Sequence, residues 1–216
     1  MTARVAIIDY GSGNLRSAEK AIERAGLERG GVDAVRVTAR AEDLKWASHI
    51  VLPGVGAYAD CRKGLYALDG MVDALENEVR KHGKPFLGIC VGMQLMANAG
   101  HEFVTTPGLG WIDAEVGPIK TSDPTLKIPH MGWNNLNLLS ETHDMLNGIQ
   151  TGDHVYFVHS FAMICVNRDD VLANVDYGGP VVAIVARDNL IGTQFHPEKS
   201  QKTGLQLLTN FVNWRP

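Results

Sequence analysis

The feature that most constrains this chain is an alternation repeated through its first half. A short unbroken apolar run is followed by a turn marked by glycine or proline, then by apolar residues at helical spacing. Val5-Ala6-Ile7-Ile8 is the first run, and Leu15, Ala18, Ile22 and Ala25 mark the helix face behind it, with Gly26 read as its C-terminal glycine. Val35 and Val37 mark a second strand. Residues 49–52 form a third, ended by Pro53, and residues 86–89 a fourth that runs into Cys90. Leu68, Val72, Leu75 and Val79 predict a second amphipathic helix before Gly83 and Pro85. Unbroken apolar strands are buried on both faces, and strands joined by helices pair in parallel. The second half changes character: strands are expected at 155–159, 163–166, 180–186 and 191–195, then a last helix carrying Leu205, Leu208 and Val212. The expected fold is a single three-layer α/β domain over 1–216, its mostly parallel sheet extended by antiparallel strands.

Composition narrows the function classes. Hydrophobic residues make up 45% of the 216, which suits a packed interior rather than a disordered chain. The net charge of −4 leaves no basic footprint for nucleic acid. No apolar stretch approaches the roughly 18 residues of a membrane span, and the first run is too short for a signal peptide. Three cysteines, Cys61, Cys90 and Cys165, cannot all pair within the chain and have no zinc spacing. The expectation is a reduced, cytoplasmic protein without metal. Gly11-Ser12-Gly13 invites a dinucleotide reading, but Arg16 stands where the fingerprint needs glycine, and no phosphate-binding G-x-x-x-x-G-K-[ST] occurs. No cofactor is expected.

Gly88-Ile89-Cys90-Val91-Gly92 is the sharpest local signal. It has the G-x-nucleophile-x-G spacing of an elbow between a buried strand and a helix, where the glycines would allow a tight turn. A thiol there meets a helix N-terminus, whose dipole favours thiolate, and the Val91 N–H becomes an oxyanion donor. Cys61 and Cys165 lack this setting and read as buried structural thiols. His196-Pro197-Glu198 is the second signal: in an extended segment residues two apart point the same way, so Glu198 reaches the imidazole and fixes its tautomer. Pro53-Gly54-Val55-Gly56 follows the third strand, and its glycines let a peptide N–H turn toward a developing oxyanion. Nucleophile, base, orienter and oxyanion donors form one acyl-transfer set. The other histidines show no metal spacing. His130 and His159 lie in aromatic segments that read equally as core or interface.

Together these blocks resemble the class I glutamine amidotransferases, the family with a Cys-His-Glu triad. P-G-V-G at 53–56, G-I-C-V-G-M-Q-L at 88–95 and Q-F-H-P-E at 194–198 carry the class. I-D-Y-G-S-G-N-L-R-S at 8–17, P-H-M-G-W-N at 129–134, Y-F-V-H-S at 156–160 and K-S at 199–200 are similar to the glutaminase subunits of imidazole glycerol phosphate synthase, of histidine biosynthesis. The resemblance implies that Cys90 attacks the glutamine side-chain amide to give a γ-glutamyl thioester and ammonia, with His196 shuttling protons and Glu198 orienting it. It implies an oxyanion hole at Gly54, Val55 and Val91, and a glutamine site at Gln94, Glu102, His159 and Ser160. The segment 97–101 before Glu102 is less acidic than the family's. Free ammonia in neutral water is mostly non-nucleophilic ammonium, so a synthase partner is implied. In similar proteins this is a cyclase subunit with a (β/α)₈ barrel, forming a heterodimer, here expected to face Asn14, Trp133, Tyr156 and Lys199. Other readings are a glutaminase subunit of pyridoxal phosphate or anthranilate synthesis, a non-catalytic module that kept the fold, and a thiol hydrolase of another amide.

Overall fold

The computed structural model describes residues 2–29, 31–140 and 142–216. The first half runs β1 (Ala3–Ile8), α1 (Leu15–Arg29), β2 (Val32–Thr38), α2 (Asp43–Trp46), β3 (His49–Gly54), α3 (Tyr58–Ala67), α4 (Met71–Leu75) and β4 (Phe86–Cys90). Between α4 and β4 the helix continues as a π-helical turn over Glu76–Lys81. One helical turn, α5 (Val91–Gln94), then leads to a hairpin of β5 (Ala99–Glu102) and β6 (Val104–Pro107). Strands follow: β7 (Ala114–Pro118), β8 (His130–Asn135), β9 (Asn137–Leu138), β10 (His154–His159), β11 (Phe161–Cys165), β12 (Val171–Asp176), β13 (Pro180–Arg187) and β14 (Leu190–Thr193). Helix α6 (Gln201–Asn213) comes last.

The main sheet has the order β2-β1-β3-β4-β14-β13-β12-β9. Pairings from β2 to β14 are parallel, and β13, β12 and β9 extend the sheet antiparallel, as expected. Every residue of β3, β4 and β14 is buried, which is why these segments read as unbroken apolar runs. The chain steps one way from β1 to β2 and the other way from β2 to β3 and β4. Right-handed crossovers therefore put α1 on one face and α2, α3 and α4 on the opposite face. Accordingly α1 packs on α6, while α3 packs on α4 and α5. The direction reverses between β1 and β3, and ligand sites in open α/β sheets form at the strand C-termini beside such a reversal. Among the described residues no helix is long and apolar enough to cross a membrane.

Several expectations need correction. The β-rich half does more than extend the main sheet: β8 pairs with β10 alone, and β11-β7-β5-β6 form a separate four-stranded sheet. Gly26 does not end α1. It lies inside the helix, where a Cβ would come within 2.5 Å of the Val32 side chain on β2. Pro53 does not end β3, because β1 pairs with β3 only along His49–Val51, so a residue lacking N–H is tolerated beyond it. Leu68 belongs to the extended cap after α3, and the second helix starts at Met71. Helix α3 itself escapes the sequence reading, its buried Tyr58, Cys61 and Leu65 being diluted by glycine and charge. Strand β14 ends at Thr193 rather than running through Phe195.

Candidate active site

Cys90 ends β4 with φ 55 and ψ −110, a backbone conformation that costs energy for any residue with a side chain. The strain lies on the cysteine, not on its neighbours: neither Gly88 nor Gly92 has positive φ. The glycines are required by close approach instead. A Cβ on Gly92 would strike the Leu52 backbone of β3, and one on Gly88 would lie 2.7 Å from the Gly92 carbonyl oxygen. The expected helix is a single turn, so any dipole acting on the thiol is that of α5 alone.

His196 is extended (φ −95, ψ 100), and the 3₁₀ turn Pro197–Lys199 brings Glu198 back to it. Glu198 Oε1 lies 2.8 Å from His196 Nδ1, with both side chains 2% exposed. The sequence points to the pair but not to its cause, since a tight turn rather than an extended strand brings it together. The carboxylate fixes the proton on Nδ1 and leaves Nε2 directed elsewhere. That Nε2 is buried and has no hydrogen-bond partner among the described residues. Cys90 is close enough to act on the ring but outside hydrogen-bond geometry. Burial opposes the charged imidazole, yet Cys90 and Glu198 outweigh it and lift its pKa to about 9.

Cys90, His196, Gln94, Glu102, His159 and Ser160 line one cavity of about 280 Å³. Gln94 Nε2 donates to the Phe161 carbonyl at 2.9 Å and to Gln194 Oε1 at 3.0 Å, and Gln194 Nε2 lies 3.7 Å from Cys90 Sγ. In the sequence Gln194 stands out only as the first letter of a motif. A sharper signal is present: an uncharged polar residue, fully buried here, two positions before the histidine. Glu102 accepts from the Tyr58 N–H at 2.8 Å, which ties β5 to the start of α3. His159 offers the cavity its ring rather than a free nitrogen. Nδ1 donates to the Phe161 carbonyl at 2.9 Å, and Nε2 meets His130 Nδ1 at 3.0 Å. Burial holds both rings neutral, with each pKa near 4, and His130 stacks between Phe157 and Tyr177.

The family pattern "Glutamine amidotransferase class-I" matches residues 6–214 of this chain. The chain is a class I glutamine amidotransferase. Among similar proteins, "Imidazole glycerol phosphate synthase subunit HisH" of Mesorhizobium japonicum is 58% identical, covering 99% of this chain and all (100%) of that one. The protein of the same name from Rhodospirillum rubrum is 54% identical, with 99% and 100% covered. Solved structures share the fold at low identity. A glutamine amidotransferase superposes with a TM-score of 0.72 at 18% identity, covering 97% of this chain and 99% of that one. Another, from Thermotoga maritima, gives 0.65 at 18% identity, covering 92% and 77%.

In this amidotransferase the two expected oxyanion segments differ in state. Val91 opens α5, where its N–H has no carbonyl one turn earlier to bond. The Val55 N–H is already taken: it donates to Ser12 Oγ at 3.1 Å. Ser12 Oγ also contacts the Val55 carbonyl, to which Cys61 Sγ donates at 3.3 Å. Ser12 and Cys61, which read from sequence as loop and structural residues, thus hold the two peptides that flank Val55, Ser12 both of them and Cys61 the second. The residues expected to face a partner also divide. Trp133, 47% exposed, meets the edge of the Tyr156 ring at 5.9 Å, and Lys199 Nζ lies 5.8 Å from the same ring. Asn14 instead points inward, its Nδ2 3.4 Å from Glu198 Oε1. All three cysteines are free thiols, and no cluster among the described residues could hold a metal.

Proposed function

We propose that Cys90, His196 and Glu198 hydrolyse glutamine and deliver the ammonia to a partner subunit of imidazole glycerol phosphate synthase, in the cytoplasm. The observation that carries the reading is the buried Cys90–His196–Glu198 constellation opening onto a cavity of about 280 Å³. That volume is near the lower limit of small-molecule sites, suited to one amino acid rather than a nucleotide. His196 receives the thiol proton, and the sulfur attacks the side-chain amide carbon. The tetrahedral oxyanion is held by the Val91 N–H and by a peptide of the 54–56 segment. Collapse gives the thioester as His196 protonates the departing ammonia. Water, deprotonated by the same ring, then releases glutamate and restores the thiol. Gln94, Glu102, His159 and Ser160 surround the substrate. Glu102 supplies the negative charge that suits its amino group.

The partner is a cyclase subunit with a (β/α)₈ barrel, docked as a heterodimer over Trp133, Tyr156 and Lys199. Cys90→Ala in that complex should abolish glutamine-dependent synthesis and spare synthesis driven by ammonium salts. Loss of both, with the complex intact, would refute the division of labour. His196→Asn should lower glutamine turnover far more than Glu198→Gln, because the ring moves the proton and the carboxylate only orients it. The opposite ranking would reverse the roles.

With the Val55 N–H held by Ser12, the lone chain has one oxyanion donor fewer than the chemistry uses. Docking of the loaded partner favours the rotated peptide. A donor of this kind is worth about 10²–10³ in rate, so glutamine hydrolysis should rise by about that factor when the loaded cyclase binds. Kinetics of the same chain with and without the cyclase measure it.

A further inference from the structure

Ser200 precedes α6, the position at which a serine ordinarily accepts from its own helix's backbone N–H groups. Its side chain makes no such cap. Ser200 is 1% exposed, and its Oγ donates to the His196 carbonyl at 2.7 Å while accepting from the Tyr156 N–H at 2.9 Å. The His196 N–H donates in turn to the Tyr156 carbonyl at 3.1 Å. Three residues thus close a ring of hydrogen bonds that holds the peptide groups on both sides of the His196 Cα. Beyond this ring, among the described residues, the His196 carbonyl accepts only from the Lys199 N–H at 3.0 Å. The helix start is distorted to allow it: Gln201 has φ 47, and a Cβ on Gly204 would strike the Pro197 carbonyl.

We infer that Ser200 is a positioning residue for His196, its hydroxyl fixing the backbone that aims the imidazole at the Cys90 thiol. The inference rests on the triad chemistry proposed above. Glu198 and His196 belong to one turn, so their 2.8 Å contact holds the ring relative to that turn, and outside it Glu198 Oε1 meets Asn14 Nδ2 at 3.4 Å. Among the described residues, none bonds Nε2 to hold the ring from the other side. Ser200 adds a second tie from the turn to strand β10, beside the bond from the His196 N–H to the Tyr156 carbonyl. Without the hydroxyl, the N–H of half-buried Tyr156 loses its acceptor and the His196 carbonyl keeps one support. Proton transfer between thiol, ring and leaving ammonia tolerates little misplacement.

Ser200→Ala and Ser200→Thr in the complex with the cyclase subunit test this, reading kcat and KM for glutamine, ammonium-driven synthesis and thermal midpoint. For Ser200→Ala, kcat should fall about tenfold, the worth of one lost hydrogen bond, with KM and ammonium-driven synthesis within about twofold of wild type. The pH midpoint for alkylation of Cys90 by iodoacetamide should move in the same variant. Ser200→Thr, which keeps the hydroxyl, should restore kcat. Wild-type kcat in Ser200→Ala overturns the inference, as does a loss shared equally by ammonium-driven synthesis. So does Ser200→Thr remaining as slow as Ser200→Ala at an equal thermal midpoint. If Ser200→Ala does not assemble, Ser200→Cys decides. Its weaker donor should lower kcat at an unchanged midpoint, and wild-type kcat there overturns the inference. Absence of glutamate release by the wild-type complex would instead remove the triad reading itself.

Discussion

Two glycine-flanked corners, one at 88–92 and one at 54–56, carry the proposed oxyanion donors, and they are built on opposite terms. At the first, Gly88 and Gly92 lie against backbone with no space for a Cβ, every residue from Gly88 to Gly92 is buried, and the strained φ falls on Cys90. The second is half as confined. A Cβ on Gly54 would lie 2.5 Å from Tyr10 Oη, but Gly56, at φ 98, has nothing within 4 Å and Val55 is 37% exposed. A packed corner keeps one conformation because its neighbours over-determine it. An open corner keeps one only while particular side chains hold it, here Ser12 and Cys61. Glycine content alone distinguishes neither case; the neighbours do.

The largest expected effect strikes the open corner. Val55→Pro removes the N–H that would turn inward, so the stimulation of about 10²–10³ expected from a loaded partner should vanish. Cys90 should remain reactive toward a small alkylating reagent. Full stimulation in a verified complex would mean that the second donor lies elsewhere.

Stability separates the corners next. Gly92→Ala forces a methyl into the Leu52 backbone and should cost about 3 kcal/mol in urea unfolding, the upper range for overpacking. Gly56→Ala meets no atom and bears only the left-handed backbone penalty, about 1–2 kcal/mol. Equal losses, or the reverse order, would break the comparison.

Ser12→Ala should sharpen it. Freed from the hydroxyl, the Val55 peptide samples the inward state more often, and glutaminase activity of the lone chain should rise about tenfold, one hydrogen bond's worth. An unchanged basal rate would show that Ser12 does not hold the peptide.

The last effect, spread over four histidines rather than one corner, is on the pH dependence of stability. His49, His130 and His159 are pushed down to about 4, chiefly by burial, from an ordinary 6.5. Between those values the unfolded chain binds protons that the folded chain refuses, so stability falls as pH drops from 6.5 toward 4. His196 works in the other direction. Lifted to about 9, it contributes stability that is fully present below 6.5 and lost as pH rises through about 9. The urea midpoint should therefore peak near pH 6.5, where neither loss has begun. In His196→Asn the decline between 6.5 and about 9 should disappear and the acid decline remain, while the thiols and phenols that burial pushes up still lower stability at higher pH. A decline between 6.5 and about 9 that survives the substitution would place its source outside His196.

Much of this is legible in order along the chain. The parallel core is readable because strands buried on both faces must be apolar throughout, and β1, β3 and β4 carry no alternation to confuse. Cys90, His196 and Glu198 are readable because an elbow and a histidine-carboxylate pair each need fixed residue types at short spacing. Helix α3 and the β5–β6 hairpin are not, since glycine and charge dilute the apolar face of α3 and the hairpin buries only Gly100. Gly26, Gly88 and Gly92 read as turn residues because close backbone approach leaves the same letter in the sequence as a left-handed turn does.

The sequence by itself determined the apolar strands of the parallel core, the thiol at a strand end and the carboxyl beside the imidazole, because each is written in residue types at short spacing. Only the tertiary structure decided that Ser12 and Cys61 grip Val55, that Gln194 approaches the thiol, that Asn14 turns toward Glu198, and that Ser200 leaves its own helix to hold His196. Each of these draws on segments far apart in the chain. A hydroxyl, thiol or amide has several possible partners, and packing alone chooses which comes within hydrogen-bond reach.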